Sequence, residues 1–146
     1  MRKLALIFAL IVALLSSAWS KKEDSLEQLK ARLETASPDK RISIALEIAK
    51  RQLDAADKLY TDGKPEDARV AINDVVSFCE KAGETATQTG KKLKQSEISV
   101  RKMAHRLTDL KRSVNFEDQQ PIQDAADRLE HVRTELLTRM FGPNKK

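Results

Sequence analysis

The sequence predicts an all-α protein in which antiparallel helical hairpins pack on one long central helix. Apolar residues recur at alternating steps of three and four in four separate stretches, and no stretch alternates with the period of a strand. Aromatic residues make up only 4% of the 146 residues, too few for a typical β-sandwich. Gly and Pro number four each, which argues against a collagen-like or linker-rich chain.

The N-terminal segment has the layout of a secretory signal peptide. Residues 1–3 carry two positive charges, residues 4–15 are an unbroken apolar run, and small residues follow at Ala18 and Ser20. The apolar run is short for a bilayer-spanning helix. We therefore expect cleavage and a periplasmic or secreted protein. Lys21 and Lys22 favour the alternative, an uncleaved membrane anchor, because positive charge directly after the run hinders export.

These features divide the chain into a signal peptide at 1–20, a single helical domain at 21–142 and a disordered tail at 143–146. Without its signal peptide the chain has 25 basic and 22 acidic residues, a net charge of +3. The high isoelectric point of the whole chain is therefore partly a property of the signal peptide, and only local charge clusters are informative.

Two helices are predicted before Gly63. The first begins near Ser25 and carries a short apolar stripe that ends at Ala36. A second helix is expected over 38–62, because Ser37 suits the N-cap position and Pro38 suits the first helical position. Gly63 is expected to end this helix in a left-handed conformation.

The third stripe runs from Ala68 to Val114 in an unbroken heptad register, which predicts one helix over 66–114 of roughly 70 Å. Gly83 and Gly90 favour the alternative, an up-down four-helix bundle with a break near Gly90, because each glycine costs about 1 kcal/mol relative to Ala in a helix. These small residues also suit the close approach of another helix.

The last helix is predicted over 121–141. The polar residues 115–120 indicate a turn, Pro121 a restart, and Gly142 the end of the helix. Short connections make neighbouring helices antiparallel, so we expect 38–62 to pack against the first half of the long helix and 121–141 against the second half.

The turn around Gly63 resembles that of a tetratricopeptide-type helical hairpin. In that family a glycine closes the first helix and an alanine five residues later packs the second helix against it, roles that would fall on Gly63 and Ala68. The resemblance covers the one hairpin around Leu59 to Ile72, and no second copy follows at the expected period. The chain is also similar to small exported helical proteins of bacteria to which no activity is assigned.

Charge is the sharpest local feature. Residues 91–112 hold eight bases against two acids, and residues 113–135 hold six acids against two bases. One interpretation is that the two stretches neutralise each other as an antiparallel hairpin. The other is that the basic stripe binds an anionic lipid, polymer or other envelope component, with these candidate residues: Lys91, Lys92, Lys94, Arg101, Lys102 and Arg106.

Residues with the chemistry of an active site are sparse. His105 and His131 lie off the apolar seams and are expected to face solvent, and no glutamate precedes either at the spacing of a di-iron bundle. Cys79 lies in a seam, which predicts burial, with linkage of two chains as the alternative. The sequence therefore predicts no enzyme, no cofactor, no metal site and no small-molecule substrate.

The function predicted is that of an exported, non-enzymatic interaction or scaffolding protein that acts through helix surfaces in the cell envelope. We expect a protein partner or self-association, because alanine-rich seams underfill a two-helix core. The alternative is an envelope-surface binder of anionic lipid or polymer through residues 91–112. Nucleic acid is not an expected partner, because aromatic residues do not interleave with the bases.

Overall fold

The structure, a computed structural model, describes residues 23–143 and confirms the all-α fold of antiparallel helical hairpins. The predicted signal peptide and the last three residues of the predicted tail lie outside this range. Within it the chain forms five helices and no strand: α1 (Leu26–Thr35), α2 (Pro38–Thr61), α3 (Pro65–Thr89), α4 (Leu93–Ser113) and α5 (Phe116–Phe141). None of these five helices is long and apolar enough to cross a membrane.

Local sequence determines where the first helices begin. Ser25 caps α1 in a reciprocal arrangement, since its hydroxyl accepts from the Gln28 backbone and the Gln28 side chain accepts from the Ser25 backbone. Ser37 and Pro38 begin α2 as predicted. Gly63 has a φ of +74°, the predicted left-handed conformation, and the chain turns there into α3.

The continuous helix predicted over 66–114 is wrong, and the alternative break near Gly90 is correct. Gly90 adopts a φ of +70° and donates its N–H to the Ala86 carbonyl, which caps α3. Lys92 also has a positive φ, of 51°, and α4 begins directly after it. The heptad register survives this turn because both α3 and α4 must bury a stripe in the same core, and a three-residue turn happens to preserve the spacing.

The start predicted for the last helix is also wrong, because α5 begins at Phe116 and includes Pro121. Residues 115–120 are polar except for Phe116, but Asn115 takes the N-cap position and Glu117 and Asp118 lie in the first turn, where negative charge stabilises the helix. Pro121 is close enough to this end that the helix loses only one backbone hydrogen bond to it.

The two hairpins, α2–α3 and α4–α5, stack so that corresponding helices run parallel. Ion pairs show the register between α3 and α5: Arg69 contacts Asp118 near the start of both helices, and Arg128 contacts Glu80 further along both. Helix α4 lies beside α2 in the same way. The expected packing of 38–62 on the first half of the long stripe and 121–141 on the second half is confirmed.

One continuous core joins the two hairpins and α1. Its largest fully buried side chains include residues from all four long helices, among them Ile48, Ile72, Leu107 and Leu129. Leu29 and Leu33 attach α1 to this core beside α2. Because the interior is filled by side chains, any functional site must lie on the outer faces of the helices or in the seams between them.

Candidate functional site

Three of the six predicted anion-binding residues contact α2. Lys92 Nζ donates to Ser43 Oγ at 2.7 Å, and Arg106 pairs with Asp54 at 2.7 Å. Lys91 Nζ lies 3.7 Å from Asp39 Oδ1. These contacts join α4 and the turn before it to α2, and they occupy part of the positive charge within the molecule.

The other three residues have no ion-pair or hydrogen-bond partner on α2 among the described residues. Arg101 pairs with Glu97 one turn earlier on α4, at 3.1 Å. Lys94 and Lys102 are exposed, and within residues 23–143 neither has an ion-pair or hydrogen-bond partner. The structure thus divides the predicted set into paired residues at the edge of α4 and two lysines whose charge faces solvent.

A shallow cleft of about 420 Å³ opens along the seam between α2 and α4. We call it the α2–α4 cleft. Leu46 and Met103, both buried, form part of its floor. Its polar lining comes from Ser43, Glu47 and Lys50 on α2 and from Gln95, Ser99, Lys102 and Arg106 on α4.

The α2–α4 cleft carries net positive charge. Glu47 is its single acid and pairs with Arg51 at 2.8 Å, outside the cleft lining. Lys50 faces Lys102 across the seam, and Lys50, like Lys102, lacks an ion-pair partner in the described part of the chain. Two lysines beside serine and glutamine side chains suit carboxylate or phosphate oxygens, because ammonium and hydroxyl groups both donate hydrogen bonds. Lys50 is not among the residues predicted from the sequence, because it lies on another helix, 41 positions or more before the basic stripe.

The outer face of α5 is acidic. All three arginines of this helix turn toward neighbouring helices: Arg128 pairs with Glu80, Arg133 pairs with Glu97, and Arg139 donates to the Thr87 carbonyl. The residues left on the exposed side include two phenylalanines and several acids. We call this surface the α5 face and define it by Phe116, Gln120, Asp124, Asp127, His131, Glu135 and Phe141.

Phe116 and Phe141 lie at the two ends of the α5 face. They are 87% and 80% exposed, the largest values among the bulky apolar residues that the structure describes. Twenty-five positions separate them, so they lie within about 20° of each other around the helix and about 37 Å apart along it. The α5 face therefore combines negative charge with an exposed aromatic side chain at each end.

The expected mutual neutralisation of the two charged stretches does not occur through direct pairs. Between α4 and α5 the described ion pair has the opposite polarity, since Glu97 on α4 accepts from Arg133 on α5. Asp124 and Asp127 accept instead from glutamine side chains of their own helix. The reason is geometric: α4 and α5 meet along their apolar stripes, and most of their charged residues point outward on different sides.

A partly buried ion pair that the sequence did not predict joins α3 to α5; its Arg69 side chain is 36% exposed. Arg69 donates to Asp118 at 2.7 Å, and the Asp118 side chain is only 8% exposed. The hydrogen bond that Arg69 donates to Asp118 is the main cause that raises the pKa of Arg69. The two residues are 49 positions apart, so no local pattern could reveal the pair. It fixes the start of α5 against α3.

The cysteine and the two histidines that the sequence singled out differ in their exposure to solvent. Cys79 is fully buried beside Met103, which excludes the predicted alternative of a link between two folded chains. Burial, with a smaller contribution from Glu80, raises the pKa of the Cys79 thiol to about 12. His105 and His131 are exposed, as predicted. Across residues 23–143 no three His, Cys, Asp or Glu side chains cluster as a metal site would require.

Comparison with known proteins adds no relative: no family model, no curated protein and no solved structure matches this chain.

Proposed function

We propose that this protein is an exported, non-enzymatic interaction module of the cell envelope that contacts its partners through the outer faces of its helices. The observation that carries the proposal is the separation of charge between two surfaces. The α2–α4 cleft is basic and the α5 face is acidic, and each retains charged side chains without an intramolecular ion pair in the described residues. Such surfaces favour steering and orientation of a partner.

The shape of the molecule also supports an interaction role. The clefts that the described residues form are shallow and lie in seams between helices, whereas small-molecule sites usually enclose most of their ligand. The exposed phenylalanines of the α5 face add apolar anchors of the kind that dominate binding energy in protein interfaces. The proposed location outside the cytoplasm rests on the signal-peptide pattern of residues 1–20.

Site-specific photo-crosslinking tests this proposal. The full chain is expressed with a photoreactive amino acid in place of Ser99 in the α2–α4 cleft, of Gln120 on the α5 face, or of the exposed Ser77 on α3 as the control. We expect crosslinked products in the envelope fraction from the first two positions and not from Ser77. Equal products from all three positions, no products, or a protein retained in the cytosol would contradict the proposal.

A second candidate function is binding of an anionic lipid or polymer through the basic surface. Lys50, Lys94 and Lys102 favour it, because none of them has an ion-pair partner among residues 23–143. Cosedimentation with vesicles of phosphatidylglycerol should then weaken sharply as ionic strength rises from about 0.01 M to about 0.15 M, where the Debye length falls from roughly 30 Å to 8 Å. Neutral phosphatidylcholine vesicles are the control, and equal binding to both lipids would contradict this candidate.

A further inference from the structure

We propose that the partner of the α2–α4 cleft is the α5 face of a second copy of this chain, so that the protein self-associates head to tail. This inference rests on the proposed function and names its partner. The two surfaces have opposite charge, and both belong to the same molecule. They lie on different helices, so one molecule cannot close the contact upon itself.

Charge complementarity is specific in this pair of surfaces. Lys50 and Lys102 line opposite sides of the α2–α4 cleft, and Asp124 and Asp127 are one helical turn apart on the α5 face. A helix laid along the seam would place both aspartates over the two lysines. The arginines of α5 do not oppose this contact, because Arg128 and Arg133 are held in ion pairs with α3 and α4.

Phe116 supplies an apolar contribution to the same interface. It lies about 12 Å from Asp124 along the helix axis, given a rise of 1.5 Å per residue. The seam between α2 and α4 continues past Arg106 into a second cleft, lined by Leu53 and Leu110 together with the acids Asp57 and Asp109. An exposed aromatic side chain at one end of a charged helix face can bury itself against these leucines.

The size of the contact predicts weak, reversible association. A helix face about 37 Å long and about 10 Å wide offers roughly 400 Å² per partner, or about 800 Å² in total, which is below the range of stable specific interfaces and in that of weak, transient contacts. Since the surfaces on the two partners differ, the contact is heterologous and leaves one cleft and one α5 face unused at the ends of each assembly. Association should therefore continue beyond a dimer as concentration rises.

Sedimentation velocity on the protein recovered after expression of the full chain tests this inference. Concentrations from about 10 µM to about 1 mM cover the range in which weak contacts form. We expect the average mass to rise with concentration at about 0.01 M ionic strength, and to rise less at about 0.15 M because the contact is charged. A mass that stays monomeric at both ionic strengths would overturn the inference.

Charge-reversal variants identify the two surfaces. The cleft variant carries Lys50→Glu and Lys102→Glu, and the face variant carries Asp124→Lys and Asp127→Lys; all four positions are exposed on helices. Each variant alone should remain monomeric. Mixing the two variants should restore association, because the native face of the cleft variant fits the native cleft of the face variant, and the two altered surfaces are complementary with reversed sign.

Two further variants complete the test. The four substitutions in one chain restore complementarity with reversed sign, so self-association should return. Lys64→Glu with Lys81→Glu changes the net charge by the same amount as the cleft variant, at exposed positions outside both surfaces, and should associate like the native chain. Circular dichroism establishes that each variant is folded.

The outcomes separate this inference from the proposed function. If neither the mixture nor the fourfold variant associates, the partner is not a second copy. Two results would then support an interaction role with a different partner. One is a crosslink from Ser99 to a different protein. The other is a monomeric protein that binds anionic vesicles and loses this binding in the cleft variant. If neither self-association, nor a crosslink, nor vesicle binding is detected, both this inference and the proposed function are contradicted.

Discussion

Val132 packs directly over Gly83 where α3 and α5 run side by side. A β-carbon on Gly83 would lie 2.5 Å from Val132 Cγ1, closer than nonbonded carbon atoms approach. Gly83 is buried in the middle of α3, where its flexibility costs helix stability relative to Ala. The glycine is therefore explained by the neighbouring helix and not by a turn.

Gly83→Ala should lower the free energy of unfolding. Overpacking costs about 1–3 kcal/mol, and better helix propensity offsets about 1 kcal/mol of it. Urea denaturation measures the result, with Ser77→Ala on the exposed side of α3 as the control for propensity alone. Adding Val132→Ala should make Gly83→Ala less costly, because it removes the clashing methyl groups. A stabilised Gly83→Ala protein would show that the helices are not in this contact.

The turn between α3 and α4 predicts opposite effects for two substitutions. Gly90→Ala should destabilise by about 1–2 kcal/mol, because an alanine at a φ of +70° is strained. Lys92→Gly should stabilise by up to about 0.5 kcal/mol, because relief of a left-handed lysine outweighs the cost in chain entropy and the loss of the hydrogen bond to Ser43. Thermal unfolding of both variants tests the turn. Effects of the same sign would contradict it, as would a protein that lengthens into one continuous helix in small-angle scattering.

The thiol of Cys79 should be protected from alkylation until the protein unfolds. Its pKa is raised from 9.0 to about 12 by burial and Glu80, so the reactive thiolate is scarce in the folded chain. A raised pKa also means that this group's contribution to stability is complete below pH 9 and declines as the pH rises toward 12. Alkylation by iodoacetamide with and without urea measures the protection. Rapid labelling of the native protein would contradict the burial, and Cys79→Ala should flatten the alkaline loss of stability.

Loss of the ion pair between Arg69 and Asp118 should destabilise the protein more than loss of an exposed pair. Asp118→Asn removes the buried carboxylate partner of Arg69, which belongs to a side chain that is 8% exposed. Among the described residues Arg69 is then left with only its exposed partner Glu66. Glu80→Gln weakens the pair with Arg128, in which the two side chains are 40% and 59% exposed, and is the matched control. Urea denaturation compares them, and equal effects would show that burial adds nothing to the first pair.

Much of the fold was predictable because it depends on local patterns. The apolar stripes identified the helical segments, Ser37 and Pro38 marked the start of α2, and Gly63 marked the turn after it. The predictions failed where two local interpretations had similar free energies. At Gly90 an intact heptad register favoured a continuous helix, and at Pro121 a polar stretch resembled a turn, yet packing and capping decided otherwise.

The candidate site was only half predictable. The basic stretch of residues 91–112 was visible in the sequence, but its division into paired residues and solvent-facing lysines depends on which acids of α2 lie beside it. The contribution of Lys50 to the cleft depends on the parallel alignment of α2 with α4. The acidity of the α5 face depends on where Arg128 and Arg133 find their partners.

By itself the sequence determined that this chain is helical, where most helices begin and end, and which residues form its core, because side-chain periodicity and capping act within a few positions. Only the tertiary structure decided that the hairpins stack in parallel, that Gly83 accommodates Val132, and that opposite charges remain on separate surfaces. Those relationships join residues dozens of positions apart, and their free energy depends on distances that exist only after the helices pack.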